Sequence, residues 1–237
     1  EVYGVHLAAP LAAGARASVK VHTILTQVMT PFPASIRQNE NQLVVYFDNH
    51  YVSSAHRVRS QRTVLKLHSG AVERHSKLEP TALSGAELTY GPYEEVAPFA
   101  HDELRVHFKN NAPFLVAPHA RKEVEVSHWG NVAVEETYEV VHAGARLKGS
   151  FSRIDYQMNP RGAPAHVPAL RMMLPHDAAD IYYRDEIGNI TTSQFRADER
   201  GVLLELQPRF PLFGGWRTGF YLGYNLPLHN WLSVLDD

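Results

Sequence analysis

Short apolar runs with a period of two, cut at intervals by proline and glycine, recur along the whole chain. That pattern favours strands, because alternate strand side chains face opposite ways whereas a helix repeats every ~3.6 residues. Ala17, Val19 and Val21 open a run to Met29 that predicts a long strand, stopped at Thr30-Pro31-Phe32-Pro33 because each proline removes a ladder donor. Gln42 to Asp48 is a β-branched and aromatic run fit for a buried strand, and Asp48-Asn49-His50 ends it. Arg62 to His68 is another strand, as is Glu103 to Phe108, with Leu104, Val106 and Phe108 on one face. Between them, Ser69 to Asp102 carries Pro80, Gly85, Gly91, Pro92 and Pro98, and a long connection with little regular structure is expected.

Asn110-Asn111-Ala112-Pro113 followed by Pro118 marks a domain boundary or a corner between sheets. Beyond it the alternation is cleaner. Val124 and Val126 lie on one strand, Ser127 to Asn131 form a hairpin tip, and Val132 to about His142 form the next strand. Gly144 and Gly149 break the chain before Phe151. Asn159 to Pro168, with three prolines, is a surface loop. Ile181-Tyr182-Tyr183, Val202 to Leu206 and Phe220 to Tyr224 complete the strands. Thr81–Leu88 and Leu228–Leu235 are the nearest helix candidates, both short. Frequent short strands with proline-rich joints predict a mainly β protein of sandwich architecture.

Composition narrows the classes. With 44% hydrophobic and 20% charged residues over 237 positions the chain has material for one large or two ordinary cores, and it is not disordered. A formal charge of −2 argues against nucleic-acid binding, which relies on a basic surface. There is no cysteine, hence no disulfide or thiolate site. No uninterrupted apolar stretch of roughly twenty residues offers a membrane span. Glu1 to Val5 lacks the basic and apolar regions of a signal peptide, and the chain reads as a fragment or processed piece.

Catalytic patterns are sparse. The fourteen histidines include no HExxH, and the nearest groupings, His68 with His75 and His166 with His176-Asp177, lack ligand spacing. Solvated or hydrogen-bonded histidines explain them better. Ser69 and Ser84 precede a glycine without the rest of a nucleophile elbow, and Gly214-Gly215 lacks the phosphate-loop frame. Adjacent acids such as Glu94-Glu95, Glu135-Glu136 and Asp236-Asp237 point to opposite faces of a strand, and solvated charge accounts for them. No catalytic residue and no metal ligand is assigned.

Two features remain. Asn189-Ile190-Thr191 follows Gly188 and the charged Arg184-Asp185-Glu186, so an exposed turn carries an N-glycosylation acceptor. Phe210, Phe213 and Trp216, with Phe220, Tyr221 and Tyr224, surround the Gly214-Gly215 turn. They pack a core there, or they form a platform for sugar or a partner.

Several blocks carry a resemblance. Ser127-His128-Trp129-Gly130-Asn131-Val132-Ala133-Val134-Glu135-Glu136, Leu147-Lys148-Gly149 with Phe151-Ser152-Arg153, Tyr182 to Asn189, and Pro208 to Trp216 resemble the ribophorin I family. Tyr90-Gly91-Pro92-Tyr93 and Asn110 to Leu115 are similar to the same family, and the resemblance runs from about Thr26 onward. It implies the first subunit of the eukaryotic oligosaccharyltransferase, a single-pass protein of the endoplasmic reticulum with two luminal β-sandwich-like domains. On that plan residues 1–117 are the later part of the first domain and 118–237 the earlier part of the second, both incomplete. Glycosyl transfer belongs to another subunit, so this chain is a non-catalytic luminal scaffold. Its partners are then the catalytic and other subunits, the translocon and nascent polypeptide, with no nucleic-acid or ribosome contact from these residues. No cofactor is expected in the chain, only an N-linked glycan on Asn189. The alternative is a free-standing glycan- or peptide-binding β module that uses the aromatics around Trp216.

Overall fold

The computed structural model describes residues 6–7, 9–158, 164–198 and 200–233. It is mainly β, built from two pairs of facing sheets. In the first pair, β1 (Met29–Pro31), β3 (Leu43–Asn49), β8 (Glu103–Lys109) and β5 (Val72–His75) form one sheet in that order. The facing sheet is β4 (Val58–Lys66), β7 (Glu87–Val96) and β6 (Thr81–Ser84). Val44, Leu104, Val106 and Phe108 on one side meet Leu88, Tyr90, Tyr93 and Val96 on the other. Leu104, Val106 and Phe108 share the inward face that their spacing predicts. Each such side chain taken out of water contributes roughly 1.5–3 kcal/mol.

In the second pair, a five-stranded sheet runs β15 (Gly188–Asn189), β14 (Ala179–Asp185), β19 (Arg217–Pro227), β10 (Asn131–His142), β9 (Leu115–Val126). It faces β13 (Leu170–Leu174), β17 (Gly201–Leu206) and β16 (Gln194–Asp198). Val132, Val134, Phe220, Leu222, Tyr224 and Leu226 pack against Leu170, Leu174, Val202, Leu204 and Leu206. The tip between β9 and β10 closes with Ser127 N–H on the Asn131 carbonyl (2.8 Å) and Gly130 at φ +88°.

A joint connects the pairs. β2 (Ser35–Ile36) and β11 (Arg146–Leu147) lie parallel, and the fully buried Gln42 spans the gap beside them. Gln42 Nε2 donates to the Asn110 carbonyl (2.9 Å), and its Oε1 accepts from Ala145 N–H (2.8 Å). Gln38 and Ser152 add a second pair of reciprocal bonds, at 2.9 and 3.1 Å.

Several local expectations change. No strand covers residues 17–28, of which 17–27 are exposed; pairing begins only at Met29. Alternation marks a strand's face but supplies no neighbour to close the ladder. The prolines do stop the pairing as expected: Pro31 is the last residue of β1, on a sheet edge where its missing donor costs nothing. Pro118, by contrast, sits inside the edge strand β9.

The supposed connection Ser69–Asp102 holds β5, β6 and β7, and the helix candidate Thr81–Leu88 is the hairpin between β6 and β7. Glycine there marks a turn at Gly85 (φ +58°) and a bulge at Gly91 (φ +90°). The bulge opposite Gln61–Thr63 shifts the inward phase from Leu88 and Tyr90 to Tyr93, and Glu95 at φ +50° precedes a return to Val96, which hides the period. At Gly91 a Cβ would lie 2.7 Å from the Gln61 carbonyl oxygen.

β12 (His166–Val167) pairs with β18 (Leu212–Phe213) inside the expected proline-rich loop, of which residues 159–163 lie outside the described residues. The helix α1 (Arg153–Met158) has no periodic signal, and α2 spans Leu228–Trp231 of the second candidate. Residues 234–237, with Asp236-Asp237, lie outside the described residues. Among the described residues no helix is long and apolar enough to cross a membrane.

Candidate functional site

The acceptor triplet lies where β14 turns into β15. Asp185 makes the turn: its Oδ1 accepts the amides of Ile187 and Gly188, both at 3.0 Å. Gly188 supplies φ +139°, which residues with a Cβ rarely adopt. Arg209, from the segment between β17 and β18, clamps the turn. Its guanidinium makes two bonds to the Asp185 carboxylate and reaches the carbonyls of Gly188 (3.3 Å) and Asn189 (3.4 Å). Arg209 therefore holds the Asp185 carboxyl below its ordinary range against partial desolvation, with the Gly188 and Ile187 amides adding to it.

Within this frame Asn189 is exposed, and its Oδ1 accepts from Arg184 Nε at 2.6 Å. The opposite end of the amide, Nδ2, is the atom to which an N-glycan is attached. Ile190 anchors the next residue by its N–H to the Tyr183 carbonyl (3.0 Å) and by packing on the core, and Thr191 is exposed again. The sequence places these residues on a turn, but the Arg209 clamp comes from twenty positions away and has no local signal.

Phe210, Phe213 and Trp216 do come together. Phe213, 3% exposed, stacks on His166 at 5.6 Å between ring centroids. Trp216 is half-buried and meets Phe213 at 5.4 Å, Phe151 at 5.6 Å and Phe210 at 5.8 Å. Only Phe210, 41% exposed, presents much surface. These rings pack around Gly214, where the backbone approaches so closely that a Cβ would stand 1.9 Å from the Ala145 carbonyl oxygen.

The histidines are taken up by separate local contacts, and only His142 and His166 lie close enough among those described to feel each other's charge. His166 bonds Tyr156 Oη at 3.0 Å, His75 contacts the Ser76 carbonyl, and His142 is fully buried with Nδ1 accepting from Gly144 N–H. Burial lowers the His142 pKa. Among the described residues no group of three potential metal ligands converges.

One buried carboxylate departs from expectation. Glu136 is not solvated; only 7% of it is exposed. It sits at the inward phase of β10, between Val134 and Tyr138, and that phase is readable in the alternation. Lys122 Nζ (2.8 Å), Tyr138 Oη (2.6 Å) and Tyr224 Oη (3.3 Å) surround it. Burial alone would raise its pKa; the bonds from Lys122, Tyr138 and Tyr224 outweigh that and hold it low. Burial and then the carboxylate push Tyr138 up to about 12. Its neighbour Glu135 faces the other way and accepts from Tyr182 Oη at 2.7 Å.

Comparison with known proteins adds a lineage. The family profile described as Ribophorin I matches residues 1–237. Over 237 residues the chain is 46% identical to the dolichyl-diphosphooligosaccharide–protein glycosyltransferase subunit 1A of Arabidopsis thaliana, covering 99% of this chain and 38% of the relative. Against subunit 1 of Caenorhabditis elegans the identity is 44% over 235 residues, 98% of this chain and 40% of the relative. Subunit 1B of Arabidopsis thaliana is 43% identical over 236 residues, 99% of this chain and 51% of the relative. The chain thus spans two fifths to half of the length of these relatives.

Proposed function

The chain belongs to the ribophorin I family, and from that premise we propose that it is part of a non-catalytic, luminal scaffold of an oligosaccharyltransferase in the endoplasmic reticulum. The observation that carries this is the match along its full length to relatives whose names make them subunit 1 of that glycosyltransferase. Its partners are the catalytic subunit and the other subunits, and beyond them the translocon and nascent polypeptide. The whole protein is a single-pass membrane protein.

The non-catalytic role has support in the way the polar groups are used. Glu136 is neutralised by Lys122 and two tyrosines inside a core, and Asp185 is spent on Arg209 and two amides. Each carboxylate holds structure together. A division into two domains has support in the two cores, one drawn from Val44 to Phe108 and the other from Val132 to Leu226, and because β9 already begins at Leu115 the break falls just before 117/118. Asn189 carries an N-linked glycan, and the chain binds no cofactor.

The test uses the full-length protein, tagged and isolated from native membranes. The catalytic subunit should accompany it, and transfer of oligosaccharide from a dolichyl-diphosphate donor to an acceptor peptide should vanish once that subunit is stripped away. Transfer by the stripped protein would overturn the proposal. Peptide mass spectrometry on the same material should find a glycan on Asn189.

A further inference from the structure

The register of the five-stranded sheet carries Asn189 further than its turn. Asn189 pairs with Arg184, Arg184 with Tyr221, Tyr221 with Thr137, and Thr137 with Arg121. Directly opposed residues of an antiparallel ladder project to the same face. These five positions therefore form one row across all five strands, on the face opposite Phe220 and Leu222, which point into the core. Four strand spacings of ~4.8 Å make that row about 19 Å long, the reach of a short run of sugar rings.

The same face is hollowed. Gly219, one step along β19, leaves its place almost empty: a Cβ there would meet nothing nearer than Glu186 Oε1 at 3.9 Å and the Tyr138 carbonyl at 4.0 Å. Around it lies an open trough of about 980 Å³, walled by Tyr221, Thr137, Glu139, Arg121, Arg217 and Ile187 of the acceptor turn. On the side of Tyr221 away from Gly219, outside the trough, the Tyr182 ring stands edge-on to Tyr221, 6.3 Å between centroids, with the Arg184 guanidinium 4.9 Å above Tyr182.

We propose that this trough is the seat of the Asn189 glycan, whose inner sugars lie back along the row from Arg184 to Thr137. The inference rests on Asn189 being glycosylated. The chemistry is complementary: a pyranose offers an apolar C–H face and a rim of hydroxyls. Tyr221 supplies flat apolar surface with a polar edge, and Arg184, Thr137 and Glu139 supply donors and acceptors. Covalent attachment at one end of the row makes weak contacts sufficient, because the tether holds the sugar at high local concentration. The Arg209 clamp then aims the tether, since it fixes the turn from which the glycan leaves.

The test compares the protein from a glycosylating secretory host with its Thr191→Ala variant, which keeps Asn189 but loses the acceptor signal, and with Thr191→Ser, which keeps both. Hydroxyl-radical footprinting should show Tyr221 oxidised several-fold more in Thr191→Ala than in the other two. Trp129, 96% exposed at the tip between β9 and β10, should react equally in all three. A glycan present on Asn189 with equal oxidation of Tyr221 in all three proteins would sink the docking alone. A bare Asn189 in the secretory material would remove the glycan itself, and the docking with it.

Discussion

A single position on β10 shows how burial turns a surface-looking residue into a structural one. Glu136 lies in the core with two tyrosine hydroxyls on it, while Lys122 is 55% exposed along its side chain. Removing the carboxylate strands both hydroxyls and the lysine; removing the lysine leaves the hydroxyls bonded. Glu136→Ala should therefore cost about 1–3 kcal/mol in urea unfolding. Lys122→Ala should cost less than about 1 kcal/mol, since water already screens that end of the pair. The sign of the pH dependence follows from the lowered pKa of Glu136. Its contribution is complete above the ordinary carboxylate range of about 4, and it fades as pH falls through the lower folded value. Glu136→Gln should flatten the acid limb of stability against pH. An unchanged acid limb would show that other carboxylates govern it.

Between elements, glycine decides how closely two strands approach, and the two glycines of interest differ in kind. Gly214 lies where β18 leads toward β19 and touches the backbone of Ala145 just before β11, so a methyl there collides with a carbonyl oxygen that cannot move alone. Gly219 faces open space. Gly214→Ala should cost about 1–3 kcal/mol or more, by overpacking. Gly219→Ala should change global stability by less than about 1 kcal/mol while narrowing the trough. Thermal melts of the two variants check this, and equal losses would contradict it. The elements themselves were unequally legible. β8, β10, β17 and β19 follow alternation plainly, because each buries one face, whereas β3 buries Val44 and Val45 side by side and shows as a continuous apolar run. β7 does not, because the bulge at Gly91 moves its inward phase by one residue partway along. Gly and Pro in Ser69–Asp102 mark a hairpin turn and a bulge, and their density by itself suggests a loop.

For the molecule as a whole, the joint around Gln42 couples the two sandwiches. Gln42 has no exposed surface, and its amide satisfies backbone groups from Asn110 on one side and Ala145 on the other. Gln42→Ala leaves a buried N–H and a carbonyl without their partner, a loss of about 2–3 kcal/mol. Because the loss falls on the coupling, calorimetry should show the unfolding transition of the intact chain broaden or divide in two. A single sharp transition merely shifted to lower temperature would place the coupling elsewhere, in the β2–β11 pair. By itself the sequence determined the β class, most strand faces, the family and the accessible acceptor turn, because period, turn chemistry and contiguous motif are all local. Only the tertiary structure decided that Arg209 clamps the turn, that Glu136 is buried among tyrosines, and that Asn189 heads a row across five strands. Those facts depend on register between segments distant in the chain, and no short window of residues encodes which strand will lie beside which.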